Sequence, residues 1–380
     1  MRARYEPFGG IIAIENPAAT VYVDQVFMQE MGYPASPLWE KNEDHLSAPV
    51  TAHFAITNCC PMGCRTCYNL SGKASSGELN TSELKAVLEN LAEMKVFTVA
   101  FGGGEPLAHP EIFHLASYAR QLGMTPTMTT NGYYINDRTA WQSRVFSHVH
   151  VSIDGVGDVY KAVRGVDGFP HASRALMLLR RCGVSVGVNV VVCRANYDHL
   201  EELIQYVVGQ GVHDIIFLRL KPGGRAAAFY KEQHLTPSQS INLFPMLEKF
   251  AQDYDIQCHV DCAMMPFIYY HHPNKEVLHL YGGEGCVAGR EIIEINSRGY
   301  VSACSFAKHP VCRVPELQES WYEAEGLNKY RDWAENAPEP CCSCQYLNLC
   351  RGGCRALAET ITGDIFAPDP ECPFVLERSW

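Results

Sequence analysis

The chain is predicted to be an α/β protein: a partial (β/α)6 TIM-like barrel with a short N-terminal β-hairpin/helix preface and a cysteine-rich C-terminal domain. Three observations predict this. Six short apolar runs alternate with helix-length segments between residues 50 and about 220, the pattern of parallel strands with helices outside. Loops rich in cysteine, glycine or polar residues directly follow the first four runs, where such barrels carry their chemistry. Cysteine density then rises sharply after Gly285.

In the preface, residues 1–49, Phe8–Ile14 and Ala19–Val23 read as two strands around an Asn16-Pro17 turn. Asp24 opens a short helix through Met31, stopped by Gly32. An exposed hairpin edge of this kind either covers the barrel or accepts a partner strand. The barrel, residues 50–235, has expected strands at Val50–Thr57, Phe97–Phe101, Thr125–Thr129, His148–Ile153, Ser185–Val192 and Asp214–Leu218. One helix follows Asn80-Thr81-Ser82-Glu83, an Asn cap with Glu at the third helical position. Others are expected over Pro110–Leu122, Phe169–Arg181 and Tyr197–Gln210. Residues 236–285 read as a bridge, with an amphipathic helix over Thr236–Tyr254. A second domain is placed at 286–380.

Composition narrows the function. The hydrophobic share of 47% supplies a packed core, and a net charge of −11 argues against nucleic acid or an anionic membrane as partner. No apolar run reaches membrane-span length, and Met1–Pro7 has no apolar signal core, so a cytoplasmic location is expected. In that compartment 17 cysteines are poor candidates for a disulfide framework. Soft thiolates at short spacings select zinc or iron–sulfur instead.

The first loop holds Cys60, Cys64 and Cys67 at CxxxCxxC spacing. Three thiolates leave one position of a metal cluster open, where a small molecule can bind and react. After the second strand comes Gly102-Gly103-Gly104-Glu105-Pro106, in which glycine permits close backbone approach and Glu105 offers an acceptor for an amine. Thr129-Thr130-Asn131-Gly132 follows the third strand. Ser152-Ile153-Asp154-Gly155 and then Tyr160–Gly165 follow the fourth. All fall on the rim that carries the cysteines.

These motifs resemble the radical SAM enzyme family. The resemblance implies that Cys60, Cys64 and Cys67 bind three irons of a 4Fe-4S cluster and that S-adenosylmethionine chelates the fourth. One electron, from a flavodoxin- or ferredoxin-like donor, then yields a 5′-deoxyadenosyl radical that abstracts hydrogen from substrate. It also implies that Gly103, Gly104 and Glu105 contact the methionine amine, Ser152 and Arg164 its carboxylate, and Asn131 and Asp154 the ribose or nearby backbone. The family commonly has an aromatic residue before the third cysteine. Here that residue is Thr66, with Tyr68 on the other side.

The later cysteines are Cys286, Cys304, then Cys341, Cys344, Cys350, Cys354 and Cys372. This string resembles the SPASM extension of radical SAM enzymes, which binds auxiliary 4Fe-4S clusters; zinc is the alternative metal. The resemblance implies one cluster on Cys341, Cys344, Cys350 and Cys372. A second would sit on Cys286, Cys304 and Cys354, its fourth ligand open or supplied by another residue. Cys258 and Cys262 are candidates for a missing ligand, against a reading as buried structural thiols. Tyr269-Tyr270-His271-His272 reads as a surface turn before Pro273, with the lining of a site as the alternative.

SPASM resemblance implies peptide or protein substrates. Sulfatase-maturing relatives carry Asp directly after the second auxiliary cysteine, where this chain has Ser305, which argues against that alternative. The expected activity is therefore maturation of a ribosomally made precursor peptide, with a separate small recognition protein presenting the leader. The chain is similar to maturases of Nif11-like precursors, some of which excise a tyramine unit and leave an α-keto-β-amino acid. Thioether or carbon–carbon crosslinking is the alternative chemistry, and a non-enzymatic iron–sulfur or zinc scaffold the alternative class. Asp154, Asp158 and Asp261 are the candidate bases.

Overall fold

The structure is a computed structural model that describes residues 2–15, 18–40, 45–281 and 283–378. It begins with a three-stranded antiparallel sheet, β1 (Arg2–Glu6), β2 (Gly9–Glu15) and β3 (Ala18–Asp24), followed by a helix over Gln25–Glu30. The expected hairpin is β2–β3, although its Asn16-Pro17 turn lies outside the described residues. Strand β1 was not expected, because Arg2, Arg4 and Glu6 break any apolar pattern. Burial of an ion pair explains it: Arg4 Nε lies 2.6 Å from Glu6 Oε1, both side chains are enclosed, and Arg4 also donates to the carbonyls of Ala48 and Pro49.

The main sheet has ten strands. Those after the preface are β4 (Thr51–Thr57), β5 (Thr98–Gly103), β6 (Thr125–Thr130), β7 (His148–Ser152), β8 (Val186–Val192), β9 (Asp214–Arg219), β10 (Gln257–Val260), β11 (Ile292–Ile295), β12 (Tyr300–Ser302) and β13 (Cys312–Arg313). Strands β4 to β9 are the six expected from sequence, and they pair in chain order, all parallel. The sheet extends past both ends of this set. On one side β10 pairs parallel with β9, inside the stretch read as a bridge. On the other, β11 pairs parallel with β4 and leads antiparallel into β12 and β13, so the sheet continues beyond residue 286. Both additions are only four residues long, too short to show a periodicity of their own.

Alternation along the strands divides the sheet into two faces. Phe54, Ile56, Val99, Phe101, Met128, Val149, Val151, Val188, Val190, Ile215 and Phe217 form one face. They join Leu84, Leu88, Leu115, Leu176 and Leu179 from the surrounding helices in one core. The opposite face carries His53, Thr127, Thr129, His148, His150, Asn189, Asp214 and Glu294, all only partly buried. The helix over Thr81–Glu93 starts at the expected cap: Asn80 Oδ1 accepts from Ser82 N and Glu83 N, while Glu83 accepts from Asn80 N. Helices over Ile112–Gln121, Phe169–Arg181, Leu200–Gly209 and Pro237–Tyr254 complete the expected set. Among the described residues no helix is long and apolar enough to cross a membrane.

Candidate active site

The first cysteine loop leaves β4 at Thr57 and is tied down mainly through its backbone. Glu78 accepts from Thr57 Oγ1 at 2.9 Å, Asn58 N at 2.6 Å and Ser75 N at 2.8 Å. Cys60 N donates to Gly72 O at 2.8 Å. From beyond β9, Arg225 donates through Nε to Cys64 O at 2.8 Å and through its backbone N to Cys67 O at 2.9 Å. Gly224 makes that approach possible: a methyl there would sit 2.4 Å from Tyr68 O.

The glycine-rich loop packs on this platform from the next strand. Gly104 N donates to Thr57 O at 2.7 Å and Glu105 N to Cys59 O at 2.8 Å. A side chain at Gly104 would meet Cys59 O at 2.3 Å, and one at Gly103 would meet Thr57 O at 2.6 Å. Gly102 differs, since nothing lies within 4 Å of where its methyl would be. The loop is thus tight against the cysteines and open on the other side.

Two polar residues reach the thiols. Asn131 Nδ2 lies 3.5 Å from Cys60 Sγ, and Arg164 Nη1 lies 3.9 Å from Cys64 Sγ. Each has a buried carboxylate behind it. Glu105 accepts from Asn131 N at 2.8 Å, Thr130 Oγ1 at 2.7 Å and Leu107 N at 3.2 Å. Burial pushes its carboxyl up to about 7, against the opposing pull of the Asn131 and Thr130 bonds. Asp154 Oδ2 lies 2.7 Å from Arg164 Nε, and its Oδ1 accepts from Val191 N at 2.8 Å. Glu105 and Asp154 are therefore engaged by the chain itself and orient the groups that face sulfur. Ser152 is half-buried at the end of β7, paired with Asn189 in the strand register. Asp158 is exposed at a helix start. Asp261 follows the C-terminal end of β10, paired with Lys221 and accepting from Ala263 N. Tyr68 packs on Phe306, ring centroids 4.8 Å apart.

The later cysteines fall into two groups. Cys341, Cys344, Cys350 and Cys372 line one partly open cavity together with Pro266, Tyr269 and Tyr346. Tyr269 is not on a surface turn. It is buried in the helix Met265–Tyr269 and stacks on Tyr346 at 4.8 Å. It lines the cysteine cavity, the alternative reading of this segment, while His272 is exposed as a surface turn requires. Burial pushes Cys341 up to about 11 and Cys372 to about 12.

The second group is Cys286, Cys304, Cys354 and Cys262. Burial raises Cys304 to about 12, with Cys286 and Cys354 adding to the effect. Burial also raises Cys262, and again Cys286 and Cys354 add to it. Cys262 thus shares Cys286 and Cys354 as neighbours with Cys304. Cys258 does not; it is perturbed by burial alone and packs in the core. Among the described residues no three cysteine sulfurs converge within 4.8 Å. One tetrahedral zinc with bonds of about 2.3 Å would hold its thiolates roughly 3.8 Å apart.

Two further features were missed in the sequence. Glu294 stands beside His53 in the β11–β4 register. It accepts from Ser305 Oγ at 2.8 Å, and Ser305 Oγ lies 3.3 Å from His53 Nδ1. Burial raises the Glu294 carboxyl to about 8. The available signal was one acid inside Ile292-Ile293-Glu294-Ile295. The second is Arg219, at the end of β9, which is buried between Asp369 and Glu371. Its partners lie 150 or more residues away, where no local pattern reveals them.

The comparisons with known proteins agree with this geometry. Residues 54–207 match the radical SAM superfamily. The mycofactocin maturase MftC of Mycobacterium tuberculosis is 31% identical over 90% of this chain and 87% of its own. The AdoMet-dependent heme synthase of Oleidesulfovibrio alaskensis is 26% identical over 84% of this chain and 86% of its own. The crystal structure of Streptococcus suis SuiB bound to precursor peptide SuiA superposes with a TM-score of 0.77, covering 97% of this chain and 98% of SuiB. At 16% identity that likeness concerns the fold alone. The reading as a scaffold without activity is thereby set aside. The chain belongs to the radical SAM enzyme family and is a relative of its SPASM-type peptide maturases.

Proposed function

We propose that this enzyme matures a ribosomally made precursor peptide by radical chemistry, with two auxiliary iron–sulfur clusters serving the reaction. The family implies a 4Fe-4S cluster and S-adenosylmethionine, and Cys60, Cys64 and Cys67 are the residues suited to hold that cluster. When bound, the pair supplies a 5′-deoxyadenosyl radical that takes a hydrogen atom from substrate. The observation that carries the reading is the approach of Asn131 and Arg164 to two of three thiols beside the open space at Gly102. In this account Gly103, Gly104 and Glu105 face the methionine amine through the loop backbone, and Ser152 and Arg164 face its carboxylate. Asn131 and Asp154 shape the ribose end.

The auxiliary ligands are assigned by grouping. Cys341, Cys344, Cys350 and Cys372 form one set around their cavity. Cys286, Cys304, Cys354 and Cys262 form the other, with Cys262 as the fourth ligand that spacing left open. The resemblance of this cysteine string to the SPASM extension favours clusters over zinc. Glu294 is placed as the acid–base group on the substrate side. Through Ser305 it brings a carboxyl to the position where sulfatase-maturing relatives carry Asp.

A peptide substrate is supported by the relatives: MftC is a maturase, and SuiB was crystallised with its precursor peptide. The preface offers a docking edge for a leader or for a small recognition protein. Strand β3 is the outer strand of its sheet, and Val21, Tyr22, Val26, Phe27 and Met31 are exposed nearby. A flavodoxin- or ferredoxin-like protein would supply the electron. The test is anaerobic incubation of the reconstituted enzyme with reductant, S-adenosylmethionine and the short peptide encoded beside its gene. Loss of a tyramine unit identifies splicing, and loss of two hydrogens identifies crosslinking. An unchanged peptide, with 5′-deoxyadenosine still formed, would overturn the substrate assignment.

A further inference from the structure

At the opposite strand ends from the cysteine loop, three side chains converge on the polar face of the sheet. His148 and His150 alternate along β7 with Val149 and Val151, whose side chains are fully buried in the helix-facing core. The two imidazoles therefore share the other face, with ring centroids 4.4 Å apart. Asp214 opens β9, which is not a neighbour of β7 because β8 lies between them. The contact crosses β8 at Gly187, where a methyl would sit 2.9 Å from His148 Nε2 and 3.1 Å from Asp214 Cγ. That glycine leaves the gap through which Asp214 Oδ2 reaches to 3.2 Å from His148 Nε2.

The donor atoms are set up as ligands. Ser185 Oγ lies 2.8 Å from His148 Nδ1, which turns Nε2 toward the cluster as an outer-shell partner does for a metal-bound histidine. His150 Nε2 and Asp214 Oδ1 are buried with no hydrogen-bond partner. One ligand atom from each of His148, His150 and Asp214 lies within 4.8 Å of the others. His259, on β10, stands just outside with Nε2 4.0 Å from Asp214 Oδ1.

We propose that His148, His150 and Asp214 form a binding site for one divalent first-row metal ion of the zinc class, separate from every cysteine site. Two imidazoles and one carboxylate with no thiolate select a borderline cation over an iron–sulfur cluster. Three protein ligands leave a position for water or for His259. The ion would tie β7, β9 and β10 together across the polar face.

The test uses the enzyme with its cysteine clusters loaded, so that thiols do not compete, and titrates it with Zn²⁺. One zinc per chain beyond the iron is expected. Its X-ray absorption should show nitrogen and oxygen neighbours at about 2.0–2.1 Å and no sulfur. His150→Ala and Asp214→Asn should each weaken zinc binding at least tenfold while iron and sulfide content stay at the wild-type level. Should His150→Ala lose its clusters, His150→Gln, closer to histidine in size, reads the same loss. No added zinc, sulfur in the first shell, or variants that bind zinc as tightly as wild type would overturn the proposal. None of these readouts depends on the peptide reaction.

Discussion

Arg219 Nη1 lies 2.7 Å from Asp369 Oδ2, and the same oxygen accepts from Cys354 N at 2.8 Å. One buried ion pair thus connects the end of β9 to the backbone of a proposed cluster ligand. Glu371 completes the arrangement, 2.8 Å from Arg219 Nη2 and bonded to Tyr230. Arg219→Met leaves two enclosed carboxylates without their cation. A loss of about 3–5 kcal/mol in urea unfolding is expected, with reduced iron content. Adding Asp369→Asn should recover part of the loss, because one stranded charge is gone.

The glycines of the second loop should respond in opposite ways. Gly104→Ala drives a methyl against Cys59 O, which is backbone and cannot yield. Iron bound by Cys60, Cys64 and Cys67 should fall, as read by iron analysis of a variant lacking the later cysteines. Gly102→Ala meets nothing within 4 Å in the protein. It should fold and take up iron normally yet bind S-adenosylmethionine at least tenfold more weakly by equilibrium dialysis. Equal behaviour of the two variants would contradict the placement of the open side at Gly102.

Cys262 and Cys258 lie close in sequence but in different surroundings, one among thiols and the other in the core. Three cubanes require about twelve irons per chain. Cys262→Ala should lower the count by up to about four, and Cys258→Ala should leave it unchanged. Iron and sulfide analysis after anaerobic reconstitution reads the difference.

The sequence made the six central strands legible because each is an apolar run closed by a polar or glycine-rich loop. It also located the cysteines, whose spacing is local information. Cys262, proposed as the fourth thiol of the Cys286 group, was one of two candidates in the sequence, since its neighbours Cys286 and Cys354 meet it only in the fold. Strands β10 and β11 escaped notice for a related reason: four residues carry too little pattern, and their pairing partners are distant in the chain. Asp154 stood out as an acid at a strand end. The structure gives it a definite task there, holding Arg164 toward Cys64.

Glu294 gives the pH dependence. Its carboxyl is raised by burial from the ordinary 4.5 to about 8, so between these values the folded chain holds a proton that the unfolded chain has released. Stability from this group is therefore present at low pH and lost as pH rises through about 8. Glu294→Gln should flatten that part of the stability profile, measured as urea midpoints below, within and above the window. Parallel profiles for wild type and variant would show that the Glu294 carboxyl is not raised as described.

The most direct measurement of the central claim, that Cys60, Cys64 and Cys67 hold the cluster that activates S-adenosylmethionine, is 5′-deoxyadenosine formation. Reconstituted protein is incubated anaerobically with dithionite and S-adenosylmethionine, and the nucleoside is quantified. The account predicts product from wild type and none from Cys60→Ala, Cys64→Ala or Cys67→Ala. No product from fully iron-loaded wild type, or undiminished product from any of the three variants, would contradict it.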